Sequence, residues 1–348
     1  MTINAPNNAP NAAIDMDGAL KADARAIIVS MGAGVAGIGV SAAVAVNRPV
    51  MLTYIGVTPD KEVIESSSAS APGTITVKSV TIDNKLDGST DVSGLGLAIG
   101  GVAVNGTVAL GFNRAKSYAA INKTNVIVTG DIDITSAMDG DTNVYATSVV
   151  GGSVAVGATV AVAQIKSENV AMVETEGTTV RAANITIHAG TDTDPYDTEA
   201  ITTVITGSAG SIAVALNFAV AINGSVNRAK VGGTGGILTA NNTLDISANG
   251  RTKAYAVVIN AAGGGIAANV SMAYATLSSV QEALLSGNAK VTTGNLTVKS
   301  TQNQVDTKGS PFGVLLEYLT FVYKMVNILH TLHSCLLLNL HRLKQNIA

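Results

Sequence analysis

Two acidic clusters carry the densest oxygen-donor chemistry in this chain: Asp139-Gly140-Asp141-Thr142-Asn143 and Asp192-Thr193-Asp194-Pro195-Tyr196-Asp197. Each sets oxygen side chains at alternate positions beside a tight turn, an arrangement a hard cation such as Ca²⁺ accepts. The EF-hand spacing, with Glu at its twelfth position, is missing, and so is the Gly-Gly-x-Gly-x-Asp array of calcium-loaded β-rolls. The expectation is therefore no cofactor. Asp139, Asp141, Asn143, Asp192, Asp194 and Asp197 are the calcium candidates, with backbone capping at solvent-facing turns as their plainer role.

Catalytic chemistry is sparser. Asp131 and Asp133 stand two apart, as an acid/base couple on one strand face would, but alternate carboxylates on an outward face are ordinarily just solvated. His188 closes a strand-like segment and reads as a surface residue. Cys335, the single cysteine, excludes an internal disulfide framework, and no base is spaced to activate it. No catalytic residue is assigned. Cations recur at Arg48, at Asn113-Arg114-Ala115-Lys116 and at Asn227-Arg228-Ala229-Lys230, with Lys166 between. In stacked units these would form either a weak stripe facing anionic glycans or lipids, or a polar corner.

The elements that must position these residues are repeats. A Gly-punctuated alternating run recurs as Gly37–Asn47, Gly100–Leu110, Gly151–Val162, Ser211–Val220 and Gly264–Tyr274. Taking Val46, Leu110, Val162, Val220 and Met272 as equivalent gives offsets of 64, 52, 58 and 52 residues. Such a period means an array in which each unit buries its apolar face on its neighbours. A second, more polar pair of strands follows each run, as in Asn169–Glu174 and Thr179–Gly190, with turns expected at Asp139-Gly140, Asn223-Gly224, Gly232-Gly233 and Asn249-Gly250. Period-two alternation holds from residue 23 to 304, and helical spacing is absent there.

The fold expectation is all-β: a parallel β-solenoid, β-helix-like, of about five degenerate units. Residues 1–22 form a polar lead-in, 23–310 the repeat array, and 311–348 a Leu-rich tail, helical or irregular. A string of immunoglobulin-like sandwiches competes, but the units are short for it and Pro is rare. Inward Val, Ile and Ala would make a dry ladder, and outward Thr, Ser, Asn and Asp a polar face. Aromatic residues make up only 3% of the chain and Trp is absent, so small and β-branched residues must supply the core. A net charge of −3 without a Lys/Arg cluster argues against nucleic acid. Residues 1–25 lack the pattern of a signal peptide, so an exported protein would carry this chain as part of a longer polypeptide. The tail reads as a cap, a membrane-associated segment or a junction-derived extension.

The unit, Gly-x-Ser/Gly-Val-Ala-Val followed by Val-x-Ala-x-x-Ile/Leu-x-Ile/Val-x-Ala, resembles the β-strand repeats of large exported bacterial adhesins, both leukotoxin-type filamentous adhesins and hemagglutinin-like autotransporter passengers. The likeness covers residues 23 to 304. It implies a secreted or cell-surface, non-enzymatic stalk that contacts host or bacterial surface glycans or proteins, with virulence and cell adhesion as the setting. It carries over no catalytic or ligand residue. A carbohydrate-active solenoid enzyme and a membrane-active toxin segment are the alternatives, and exposed rod ends would favour end-to-end self-association. Membrane contact is expected only if the tail is native.

Overall fold

The computed structural model describes residues 12–59 and 73–302. The tail from Pro311, with Cys335 and its cap and membrane readings, lies outside the described residues. Among these, every regular element is a β-strand, and every strand pair is parallel. Parallel pairing throughout excludes the immunoglobulin-like alternative, whose sheets are antiparallel.

The first unit holds β1 (Ala13–Asn47) and β2 (Val50–Gly56), and the second β3 (Thr74–Val77), β4 (Ser79–Asn113) and β5 (Lys116–Asn122). The third comprises β6 (Asn125–Val128), β7 (Ile132–Asp139), β8 (Thr142–Ile165) and β9 (Glu168–Glu174). The fourth comprises β10 (Thr179–Ala189), β11 (Tyr196–Ala209), β12 (Ile212–Asn223) and β13 (Val226–Gly232). Then follow β14 (Ile237–Gly263), β15 (Ile266–Leu277) and β16 (Val280–Leu285), and β17 (Lys290–Gln302) opens one more. β1 begins inside the stretch read as a lead-in. The alternation Ile14, Met16, Leu20 against Asp15, Asp17, Lys21 is itself a strand signal, and Ile14 and Met16 pack on the core.

One five-stranded sheet runs β16-β13-β9-β5-β2. In the larger sheet, pairing closes into a ring of six parallel strands: β4, β7, β10, β14, β11 and β8. The ring arises because β4 and β14 run unbroken where the intervening units break in two. β4 spans both β7 and β8, and β14 spans both β10 and β11. Asn249-Gly250, expected as a turn, is therefore continuous strand within β14.

Register corrects the repeat lengths. Val46 pairs with Phe112, and Val44 with Leu110, an offset of 66 rather than 64. Leu110–Val162 and Val162–Val220 stand as read, but Val220 pairs with Tyr274, an offset of 54 rather than 52. Both slips are of two residues, which leaves every side chain on its own face and so is invisible to alternation.

Each unit divides into a base, a waist and a projecting arm. The base core is bulky: Ile121, Ile132, Ile134, Ile185, Ile187, Leu238, Leu244 and Ile246 are fully buried between the five-stranded sheet and the first halves of the long strands. The arm is a strand that runs out to a glycine tip and returns. Its interior is small, with Ala43, Ala45, Ala109, Ala161, Ala163, Ala219 and Ala221 on the return side facing Val92, Val144 and Val204. Its exterior carries the bulk, and Val40 is 76% and Val35, at the tip, 92% exposed. This reverses the expected arrangement of branched residues inward and polar residues outward along the Gly-rich run.

Glycine is obligatory at the arm tips. A Cβ on Gly152 would lie 2.1 Å from the Gly100 carbonyl oxygen, one on Gly210 2.1 Å from that of Gly152, and one on Gly264 1.8 Å from that of Gly210. Successive tips stack backbone on backbone, which explains the glycine that punctuates each repeat.

Candidate functional site

The waist gathers the polar chemistry. On its inner side, Asn47, Asn113 and Asn223 end the return strands and are buried. Each donates its side-chain amide across the unit to carbonyls of two successive rungs. Asn47 Nδ2 reaches Ala22 O at 2.5 Å and Ser89 O at 2.9 Å, and Asn113 Nδ2 reaches Gly88 O at 2.7 Å and Asp141 O at 3.4 Å. Asn223 Nδ2 reaches Thr198 O and Lys253 O, both at 3.0 Å. A carbonyl that already accepts from the next strand can accept a second bond through its other lone pair. These amides thus fix the width of the waist and tie rung to rung. Unit three places Ile165, and unit five Leu277, at the same register position.

A second buried chain runs along the stack beside the five-stranded sheet. The Ser117 and Ser136 hydroxyls lie 2.9 Å apart, and Ser136 Oγ donates to Asn169 Oδ1 at 2.6 Å. Asn169 Nδ2 donates to Asn227 Oδ1 at 2.8 Å, and Asn227 Nδ2 donates to Gln281 Oε1 at 2.8 Å. Buried amides that satisfy one another in this way penalise any register slip, because a shift would strand them unpaired.

On the outer side of the waist the two acidic clusters, which begin 53 residues apart in sequence, come together. Lys21, Asp87, Asp139, Asp197 and Arg251 are successive register partners across five units. A neighbouring row contains Asp141 and Glu199, whose amide N donates to Asp141 Oδ1 at 3.1 Å, and ends at Lys253, the register partner of Glu199. Burial first, then Asp139, Glu199 and Asp197, push the Asp141 carboxyl up to about 7. Burial and neighbouring carboxylates likewise raise Asp139. Burial raises Asp197, against the pull of Lys253 and Arg251. Cations flank the acids: Lys21 Nζ lies 3.1 Å from Asp87, and Lys85 Nζ 2.5 Å from Asp194.

Of the six calcium candidates, Asp139 and Asp141 thus meet Asp194 and Asp197. Asp192 instead accepts from Asn249 Nδ2 at 2.6 Å, and Asn143 Nδ2 donates to Asp91 at 3.4 Å. Among the described residues, no group of three His, Cys, Asp or Glu is arranged to hold a metal ion. The separation of the two clusters in the sequence hid this row; only the 52- and 58-residue offsets, applied to Asp87, Asp139 and Asp197, could have found it.

The remaining candidates disperse. Asp131 and Asp133 are exposed on the base, Asp131 accepting from Asn184 Nδ2 at 2.7 Å. His188 Nε2 sits 3.6 Å from Asp245 on the next rung. The cation repeat splits in two. Arg114 N donates to Asn47 O and Lys166 N to Asn113 O, which stacks exposed Arg48, Arg114 and Lys166 in consecutive rungs. Asn227-Arg228 aligns instead with Asn169-Val170, so Arg228 and Lys230 belong to the five-stranded sheet. There they pair with Glu282 at 2.6 Å and Glu174 at 3.0 Å. Comparison with family models, curated proteins and solved structures gives no match.

Proposed function

We propose that this chain is a non-enzymatic stalk segment of a bacterial surface or secreted filament, a parallel β-solenoid that adheres by many weak contacts along a rod. The six-strand ring is then the trace of strands running unbroken through the corners of the coil. The observation that supports this reading is in-register recurrence. The Lys21–Asp87–Asp139–Asp197–Arg251 row and the stacked Arg48, Arg114 and Lys166 repeat one surface position from unit to unit, at about 4.8 Å per rung. A repeated surface binds through avidity, and glycans or proteins of a cell surface, themselves repetitive, are the partners that exploit it.

The test is bead adhesion. Beads coated with the full chain should be retained on cell-surface glycans or proteins that the soluble chain binds only weakly. Changing one rung, for instance Arg114→Ala, should lower retention by about a fifth, and changing Arg48, Arg114 and Lys166 together should lower it several-fold. Loss of all binding on a single substitution would point to one discrete site and sink the reading. The raised Asp141, beside Asp139 and Glu199, favours one alternative, a carbohydrate-active enzyme using Asp141 as the proton donor. Polysaccharide hydrolysis that disappears in Asp141→Asn would establish it.

A further inference from the structure

The return layer of the arm presents a grid of five outward positions on each of five strands. Successive rows read Ile38, Val104, Val156, Val214, Ala268; then Val40, Gly106, Ala158, Leu216, Val270; then Ala42, Val108, Val160, Phe218, Met272. The last two rows are Val44, Leu110, Val162, Val220, Tyr274 and Val46, Phe112, Gln164, Ile222, Thr276. Only Gln164 and Thr276 carry polar side chains without an aromatic body. The arms contain no charged residue at all: none occurs in 26–47, 92–113, 144–165, 200–223 or 254–278.

We propose that this face is the interface for a second copy of the chain, two arms packing return layer to return layer. Three observations carry it. Five strands and ten residues of strand length span about 24 Å by 33 Å, on the order of 800 Å². That is the area each partner contributes to a standard stable complex, about 800 Å², and it exceeds the apolar patch a monomer ordinarily exposes, roughly 300–600 Å². Second, the return face is the more uniformly apolar of the arm's two outer faces. The outgoing face exposes Ile27, Val29, Met31 and Ile99 as well, but it interleaves Ser93, Tyr145 and Thr147 among them. Third, among the described residues β1 and β15 each pair on one side only, so both ends of the return layer are edges. Such edges cost several kcal/mol per unsatisfied group in hydrocarbon but are satisfied by water at the rim of a protein interface. Two copies of one sheet share the same twist and pack aligned, about 10 Å apart. The contact differs from end-to-end joining, which would use the strand edges and leave the grid open.

Sedimentation equilibrium on the full chain tests this. The wild type should form a concentration-dependent dimer. The outward double variant Val160→Lys/Phe218→Lys should raise the dissociation constant at least a hundredfold, and Thr76→Lys on the base should leave it unchanged. Val40→Lys, on the terminal strand of the layer, provides a second disruptive variant should the double one fold poorly. Peroxide footprinting locates the contact: Met272, on the grid, should oxidise at least fivefold more slowly in the dimer than in the dissociated variant. Met31, on the outgoing side, should react equally in both. A chain that stays monomeric, a dimer indifferent to the grid substitutions, or Met272 reacting equally in both would each overturn the proposal. A monomer that floats with phosphatidylcholine vesicles would overturn it too and assign the face to lipid.

Discussion

Base and arm are built from the same alternation and solve opposite packing problems. In the base, Ile134, Ile187 and Leu244 point inward and Asp131, Asp133 and Thr186 outward. In the arm, Ala161 and Ala219 point inward and Val160 and Phe218 outward. The polar bonds differ to match. Inside the arm, Asn105 Nδ2 donates to Ser148 Oγ at 2.6 Å, and Thr206 Oγ1 donates to Asn217 Oδ1 at 2.5 Å. Short side chains of this kind bridge the two layers only because alanine lets them approach closely. The base is thus held by apolar volume, and the arm by close layers cross-linked through hydroxyls and amides. Bulk displaced from the arm interior becomes surface, which is what turns its return face into an interface.

The largest effect should come from the base. Ile187→Ala removes a fully buried side chain that its neighbours cannot replace, and about 2–5 kcal/mol of stability should go with it. The same truncation outside the arm, Val160→Ala, should change the stability of the monomeric chain by less than about 0.5 kcal/mol. Urea unfolding of both variants below the association range decides the matter. Equal losses would mean that both regions rest on the same kind of core.

Enlargement should discriminate in the other direction. Ala161 is fully buried between arm layers, so Ala161→Leu must force them apart and break bonds such as Thr159 to Thr206, now 2.9 Å. A cost of about 1–3 kcal/mol is expected. Val160→Leu, one residue away and facing out, should be nearly neutral. Amide hydrogen exchange along β8 and β11 would register the difference: faster exchange in Ala161→Leu alone supports the tight arm. Equal exchange in both would show that the layers have room to spare.

Much of this architecture was legible in the sequence. Alternation located most of the strands, the polar pairs predicted β9 and β10 within a residue, and the glycine punctuation marked the arm tips. What it hid follows from the period of two. A slip by two residues keeps every face, so Val46 was matched with Leu110 rather than Phe112. When both alternate sets are apolar, as in Ser153-Val154-Ala155-Val156, the pattern cannot say whether alanine or valine faces inward. Asn223 ends β12 and Asn227 lies just inside β13, and only pairing separates the waist tether from the member of the long amide chain. The acidic row was cut apart for the same reason, since register alone brings Asp139 beside Asp197.

That row marks the boundary between the charged base and the charge-free arm, and it yields the smallest effect and the one tied to pH. The Asp141 carboxyl stands at about 7 in the folded chain against an ordinary value of 3.8. Between those values the native state holds a proton that the unfolded state has released, so stability falls as pH rises through about 4 to 7. Above that window the ionised Asp141 lies beside Asp139 and Glu199 in a half-buried setting. Asp141→Asn keeps the oxygen that accepts from Glu199 N and removes the charge. The variant should therefore be more stable than the wild type by about 1–2 kcal/mol at pH 8, and should match it within about 0.5 kcal/mol at pH 4. Urea midpoints at the two pH values measure this directly. A variant no more stable at pH 8 would mean that Lys253 and Arg251 already neutralise the row, and the waist would then be a balanced seam rather than a strained one.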